Sequence, residues 1–107
     1  MKQPIFLLLT WFVTNLSTLE EPVIKVIRTS TDVHIRQTEQ QVLQRYGVKA
    51  EVRVIERNDK EEITNLKCTR YGKTGQENSS CQSDNFGALV ITRDGCKIAD
   101  FGYEDNI

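Results

Sequence analysis

Cys68, Cys81, Cys96 and His34 are the residues of this sequence best suited to nucleophilic or metal chemistry. The cysteine spacings fit no zinc-site pattern. In an exported chain an odd set of three allows one disulfide and leaves one thiol over. A Cys81 bridge to Cys68 or to Cys96 would tie down the polar stretch around Cys81, contributing about 3 kcal/mol through chain entropy. The other reading is buried free thiols packing as small apolar groups. A cysteine nucleophile working with His34 would need the two side by side and a third group orienting the imidazole. Nothing in the sequence brings them together, and His34, in the first turn of a candidate helix, reads as a solvated surface histidine. Glu56, Asp59, Glu61 and Glu62 gather around a turn, but calcium needs a denser and more regular ligand ladder, so they read as a solvated rim. Asn15-Leu16-Ser17 and Asn78-Ser79-Ser80 match the glycosylation sequon, which matters only in a eukaryotic secretory pathway.

Lys97-Ile98-Ala99-Asp100-Phe101-Gly102 looks like the metal-binding Asp-Phe-Gly segment of protein kinases. That chemistry also needs a glycine-rich loop, a strand lysine and a His-Arg-Asp catalytic loop. The segment upstream is Ser79-Ser80-Cys81-Gln82-Ser83-Asp84-Asn85, and 107 residues cannot hold two kinase lobes. The string therefore reads as a hairpin strand whose Ile98 and Phe101 serve packing.

The elements that would position these residues follow from periodicity. Residues 23–29 form a β-branched run and a first strand. Ser30, Thr31 and Asp32 offer three successive helix N-caps. In the helix that follows, Ile35, Val42 and Tyr46 share a stripe with Thr38 and Leu43 at its margins. Glu39 lies on that side too, so its carboxylate must find water or a partner. Gly47 suits a left-handed stop. Residues 48–57 alternate, with Val48, Ala50, Val52 and Val54 on one face. Asn58-Asp59-Lys60 is turn chemistry. Residues 62–71 return as a strand with Leu66 and Cys68 on one face and Ile63 on the other. Residues 72–85, rich in glycine and serine, read as a flexible loop. Residues 88–93 and 96–103 flank Asp94-Gly95, a hairpin signal that sets Ile91 opposite Ile98 and Val90 opposite Ala99. The order is β-α-β-β-β-β, an α+β class with one helix on a mainly antiparallel sheet.

Fourteen basic and fifteen acidic residues give a net charge of −1 and no electrostatic case for nucleic acid or an anionic membrane surface. Residues 1–19 have the layout of a secretory signal peptide: Lys2, an apolar run over 5–13, then small polar residues. The run is shorter than the roughly 20 residues a membrane span needs. Residues 20–107 then form a single domain, small enough for its core to be modest. Membrane contact is expected only through an uncleaved leader, and localisation is expected to be periplasmic or secreted.

The pattern over residues 23–103 resembles a small repeated module in the periplasmic C-terminal regions of bacterial membrane metallopeptidases of the antirepressor-sensor type. The residues that carry it are Ser30-Thr31-Asp32, Tyr46-Gly47-Val48, Glu56-Arg57-Asn58, Glu62-Ile63-Thr64, Lys73 and Gly75 in the Ser/Asn-rich stretch, and Phe101-Gly102-Tyr103. The peptidase chemistry of such sensors needs a zinc helix of the H-E-x-x-H kind, and His34 is the only histidine here. The resemblance implies a free-standing exported copy of an accessory module.

The functional expectation is a non-enzymatic binding module of the cell envelope, with a protein partner and no cofactor or metal. The exposed sheet edge and the 72–85 stretch would carry recognition, with Lys73, Gln76 and Asn78 as contact residues. The alternative is a cystatin-like or immunity-type inhibitor, since one helix across an antiparallel sheet looks like the cystatin architecture. The cystatin Q-x-V-x-G hairpin is replaced here by Asn58-Asp59-Lys60.

Overall fold

The computed structural model describes residues 23–107, so the leader expected over residues 1–19 lies outside the described residues. The chain runs β1 (Ile24–Ile27), α1 (Asp32–Tyr46), β2 (Ala50–Arg57), β3 (Ile63–Tyr71), β4 (Glu77–Ser83), β5 (Phe86–Ile91), β6 (Cys96–Asp100) and a short 3-10 turn (Glu104–Asn106). The class is α+β, and the expected order holds with one strand added. The strands divide into two three-stranded antiparallel sheets, β1-β5-β6 and β2-β3-β4. Ile24, Val26, Val52, Leu66, Cys68, Leu89 and Ile91 face a shared core, joined by Ile35 and Val42 from the helix.

The added strand corrects the expectation of a loop over residues 72–85. Only residues 72–76 turn; Glu77–Ser83 then pairs along β3, with Cys81 opposite Cys68. This strand is Ser/Asn/Gln-rich on both faces, so it shows no apolar alternation. Its evidence is the backbone ladder itself, which composition does not reveal.

The helix starts where the caps predict. Thr31 Oγ1 accepts the His34 N–H at 3.2 Å, and Gly47, at φ 71°, ends the helix by donating its N–H to Leu43 O at 2.9 Å. The helix does not lie across the face of one sheet. It fills the gap between the free edge of β1 and the free edge of β2, and two of its polar side chains serve those edges. Glu39 Oε2 accepts the outward-facing Val52 N–H of β2 at 2.7 Å. The His34 ring donates through Nε2 to Lys25 O of β1 at 3.1 Å. Ser30 completes the β1 edge by accepting the Ile27 N–H on its hydroxyl and donating its own N–H to Ile27 O. Bare strand edges are templates for unwanted pairing, and these contacts cover both. The partner that Glu39 required is thus a strand edge.

The β2–β3 turn is organised by Asn58, whose Oδ1 accepts the N–H groups of Lys60 and Glu62. It forces Glu61 into the left-handed region at φ 64°. A residue with a Cβ there costs roughly 1–2 kcal/mol, only partly offset by the greater unfolded-state freedom of glycine. Glu61→Gly is expected to stabilise the fold by about 0.5 kcal/mol, read as a melting temperature higher by roughly 2–4 °C. Ile63 is fully buried beside Leu66, although the alternation set it on the other face. Register shifts in β2 between Val54 and Arg57 re-aim this end of the hairpin, and the Ile63 N–H donates to Arg28 O at 2.8 Å, beyond β1.

The β5–β6 hairpin turns one residue earlier than Asp94-Gly95 implied. Ile91 pairs with Cys96, Val90 with Lys97, Leu89 with Ile98 and Ala88 with Ala99. The tip is Arg93-Asp94, closed by Thr92 N–H donating to Gly95 O at 2.8 Å. Gly95 does not supply a left-handed turn. It stands against β4, where a Cβ would come within 3.2 Å of Ser79 Oγ. The last strand also ends at Asp100, before the expected Tyr103, because Gly102 at φ 93° turns the chain away.

Candidate functional site

Lys73, Gln76 and Asn78 all belong to the β3–β4 hairpin. Its tip is closed by the Gly72 N–H donating to Gln76 O at 2.7 Å and the Gly75 N–H donating to Gly72 O at 3.0 Å. Gly75 is left-handed at φ 84°, which fits glycine there. Tyr71 pairs with Glu77 and Arg70 with Ser79, so Asn78 is an extra residue bulged out of the ladder. Lys73, Gln76 and Asn78 are exposed. Lys73 alone lines a cleft of about 430 Å³ between the hairpin and the start of β2, together with Gly47, Val48, Lys49, Tyr71, Gly72 and Gly75.

Two contacts build that cleft. The Tyr71 N–H donates to Lys49 O at 2.9 Å, and the Lys49 ammonium lies 5.5 Å from the centre of the Tyr71 ring. The two charged side chains lining it, Lys49 and Lys73, are both cationic. The cleft offers two ammonium groups, an aromatic face and a glycine-lined backbone, which suits an acidic or carbonyl-rich segment better than a cation. The sequence reading missed Lys49 and Tyr71. Their signal was positional: Tyr71 precedes Gly72 at the end of β3, and Lys49 lies two residues after Gly47, just before β2.

The cysteines resolve into a Cys81–Cys96 disulfide, with Cα atoms 6.3 Å apart, and a free buried Cys68. Burial pushes the Cys68 thiol up to about 11, so at neutral pH it is a packing group and not a nucleophile. His34 is engaged with the β1 edge and is not paired with a cysteine. The disulfide joins β4 to β6, the inner edges of the two sheets. The Asp-Phe-Gly string has a structural use at the same seam: Asp100 Oδ1 accepts the Ser83 hydroxyl at 2.6 Å, and Gly102 turns the chain. Phe101 is half exposed, not core; Arg28 covers one face of it, with the guanidinium carbon 4.2 Å from the ring centre.

Arg28 also donates to Phe86 O at 3.0 Å and reaches Glu62 Oε1 at 3.4 Å, so it ties the end of β1 to β5 and to the β2–β3 turn. The hydrogen bond from Asn58 Nδ2, with that from Arg28, holds the Glu62 carboxyl below its ordinary value of 4.5. A carboxylate with a depressed folded pKa contributes stability that is complete above the unfolded value and lost as pH falls through the folded one. Melting temperature is therefore expected to fall on acidification below about 4.5, and Glu62→Gln is expected to flatten that part of the pH profile.

Two of the acidic residues around this turn have structural partners. The Glu62 carboxylate serves Arg28 and Asn58, and Glu61 acts through its backbone, donating its N–H to Asn58 O and accepting from Arg57. Among the described residues no group of three or more His, Cys, Asp or Glu side chains is placed to hold a metal ion. No helix among them is long and apolar enough to cross a membrane.

Arg70 is the other residue the sequence reading passed over. It shares the inward parity of Leu66 and Cys68, and it is 2% exposed. Its guanidinium donates to Thr92 O, to Gly95 O at 2.9 Å and to Arg93 O at 3.2 Å, gathering the carbonyls of the β5–β6 tip. No family model matches the chain, and neither a curated protein nor a solved structure matches it.

Proposed function

We propose that this chain is an exported, non-enzymatic binding module that recognises a protein partner of the bacterial cell envelope through the β3–β4 hairpin tip. The observation that carries the reading is the Lys49–Tyr71–Lys73 cleft, the place where the expected contact residue Lys73 meets an aromatic face and a second cation. Gln76 and Asn78 extend the surface along the same hairpin. The disulfide supports an oxidising compartment, which agrees with the leader read from residues 1–19. A contacting segment with acidic side chains or free carbonyls matches the cleft's charge.

The sheet edges contribute less than the sequence suggested. Those of β1 and β2 are served by the helix, which removes the simplest site for strand addition. The inhibitor alternative gains nothing from the architecture, because the helix fills an edge gap where a cystatin-like fold has it across a sheet.

The test is an affinity capture from the envelope fraction, with the exported chain as bait and a Lys73→Ala/Gln76→Ala/Asn78→Ala variant as control. A saturable partner retained by the wild type and lost by the variant is the expected result. Equal retention by both, with both folded, would remove the hairpin tip as the recognition surface.

A further inference from the structure

The seam between β4 and β6 is closed by side chains and one disulfide. The two strands run side by side, with Cys81 bridged to Cys96 and Ser83 bonded to Asp100, yet no backbone hydrogen bond joins them among the described residues. Each sheet is complete within itself as a three-stranded ladder. The opposite gap, between β1 and β2, is held by the helix. The disulfide is therefore the one covalent rung across an otherwise side-chain-laced seam, and both of its cysteines are partly exposed while packing against the core.

Cys68 decides whether such a bond can open and reclose cleanly. It stands opposite Cys81 on β3, where a rival bridge would form. The Val52 N–H points away from β3 toward Glu39, so Val52 and Cys68 are not a hydrogen-bonded pair. The N–H and C=O of Cys68 then turn to β4, which makes Cys68 and Cys81 a hydrogen-bonded pair. Cβ atoms in such pairs are about 5.5 Å apart, against the roughly 3.5–4.5 Å a disulfide needs. The ladder thus withholds Cys68 from exchange, and its burial, with 0% exposure, does so again.

We propose that Cys81–Cys96 is a reversible redox latch on the β4–β6 seam, opened by a dithiol reductant and reclosed to the same pairing because Cys68 is held out of reach. In opening, one thiolate of the dithiol attacks a cysteine sulfur and forms a mixed disulfide. The other cysteine leaves as a thiolate and takes a proton. The second thiol of the reductant resolves the mixed disulfide, so two electrons and two protons pass to the protein and the dithiol becomes a cyclic disulfide. Reclosure runs the same exchange against a disulfide oxidant: one cysteine thiolate attacks it, the other displaces the mixed disulfide, and the oxidant leaves as two thiols carrying the two electrons and two protons. Opening removes the covalent tie between β4 and β6; both ladders and the helix contacts still form, but the two edge strands fray from β3 and β5 more readily. This inference does not depend on the proposed partner.

The test is amide hydrogen exchange on the full chain with and without dithiothreitol, together with far-UV circular dichroism and differential thiol alkylation. The expected result is an unchanged far-UV spectrum and about a hundredfold faster exchange confined to β4 and β6, the size expected for a closed loop of this length. Exchanging the reductant for oxidised glutathione is expected to restore Cys81–Cys96 alone, with Cys68 alkylated only after unfolding. A Cys81→Ser/Cys96→Ser variant should show the reduced exchange pattern without reductant. General unfolding on reduction, a double variant that does not fold, unchanged exchange at the seam, or bridges that include Cys68 after reoxidation would each overturn the latch.

Discussion

Gly87→Ala is expected to be among the most damaging single-methyl changes in this chain. Gly87 sits at the register shift between Phe86 and Ala88, where β5 passes close to the end of β6. A Cβ there would lie 2.5 Å from Asp100 O, 2.7 Å from Asp100 C and 2.9 Å from Phe101 N. All three are backbone atoms, so no rotamer change relieves the overlap. The strands must separate, and the bond from the Phe101 N–H to Asn85 O at 2.7 Å is the first to be lost. Overpacking costs typically 1–3 kcal/mol, and a backbone clash belongs at the top of that range, so a loss of about 3 kcal/mol is expected. Chemical denaturation should show a lower midpoint at an unchanged slope. Gly72→Ala is the matched control. Its nearest atom would be Gln76 O at an ordinary 3.8 Å, and its stability is expected to stay within about 0.5 kcal/mol.

Arg70→Met carries the second large effect. Methionine keeps much of the buried stem but removes every donor to Thr92 O, Arg93 O and Gly95 O. Gly95 O keeps the Thr92 N–H, while the other two carbonyls must find water or stay unsatisfied. A buried unsatisfied group costs about 1–3 kcal/mol, so a total loss near 3 kcal/mol is expected. That corresponds to a melting temperature lower by more than about 10 °C for a domain of this size. Arg70→Lys should recover only part of it, since one ammonium cannot reach three carbonyls in the planar arrangement a guanidinium uses. Thermal melts of the three proteins order wild type above Arg70→Lys above Arg70→Met if the carbonyl clamp is the cause. Equal melts for Lys and Met would assign the effect to packing.

The parts of this fold legible in the sequence are those written as side-chain periodicity or as caps. Thr31 and Gly47 mark the helix ends, and Ala50, Val52 and Val54 mark the inward face of β2. β4 left no such mark, because Ser79, Gln82 and Ser83 look alike whichever face they take; its order comes from backbone pairing with β3. The hairpin register misled for a related reason. Asp94-Gly95 has the composition of a turn centre, but the close approach of β4 and the Arg70 clamp set Gly95 at the entry to β6, opposite Thr92. Of the candidate site, Lys73 was legible as an exposed loop cation. Lys49 and Tyr71 meet only because β2 and β3 pair, and that is a long-range fact.

The pairing of β1 with β5 has a consequence for the order in which the chain can be completed. Ile24 is among the first described residues and Ile91 is close to the last strand, yet they are ladder partners. A chain emerging N-terminus first can build the β2-β3-β4 meander as soon as those residues are out. It must leave β1 waiting until residues 88–91 have appeared. Native closure is therefore a late event, and loop closure over such a span is slow relative to local hairpins. Until then the helix has only one of its two strand edges to rest on. A nascent chain with this wiring stays pliable until β5 has emerged to receive β1.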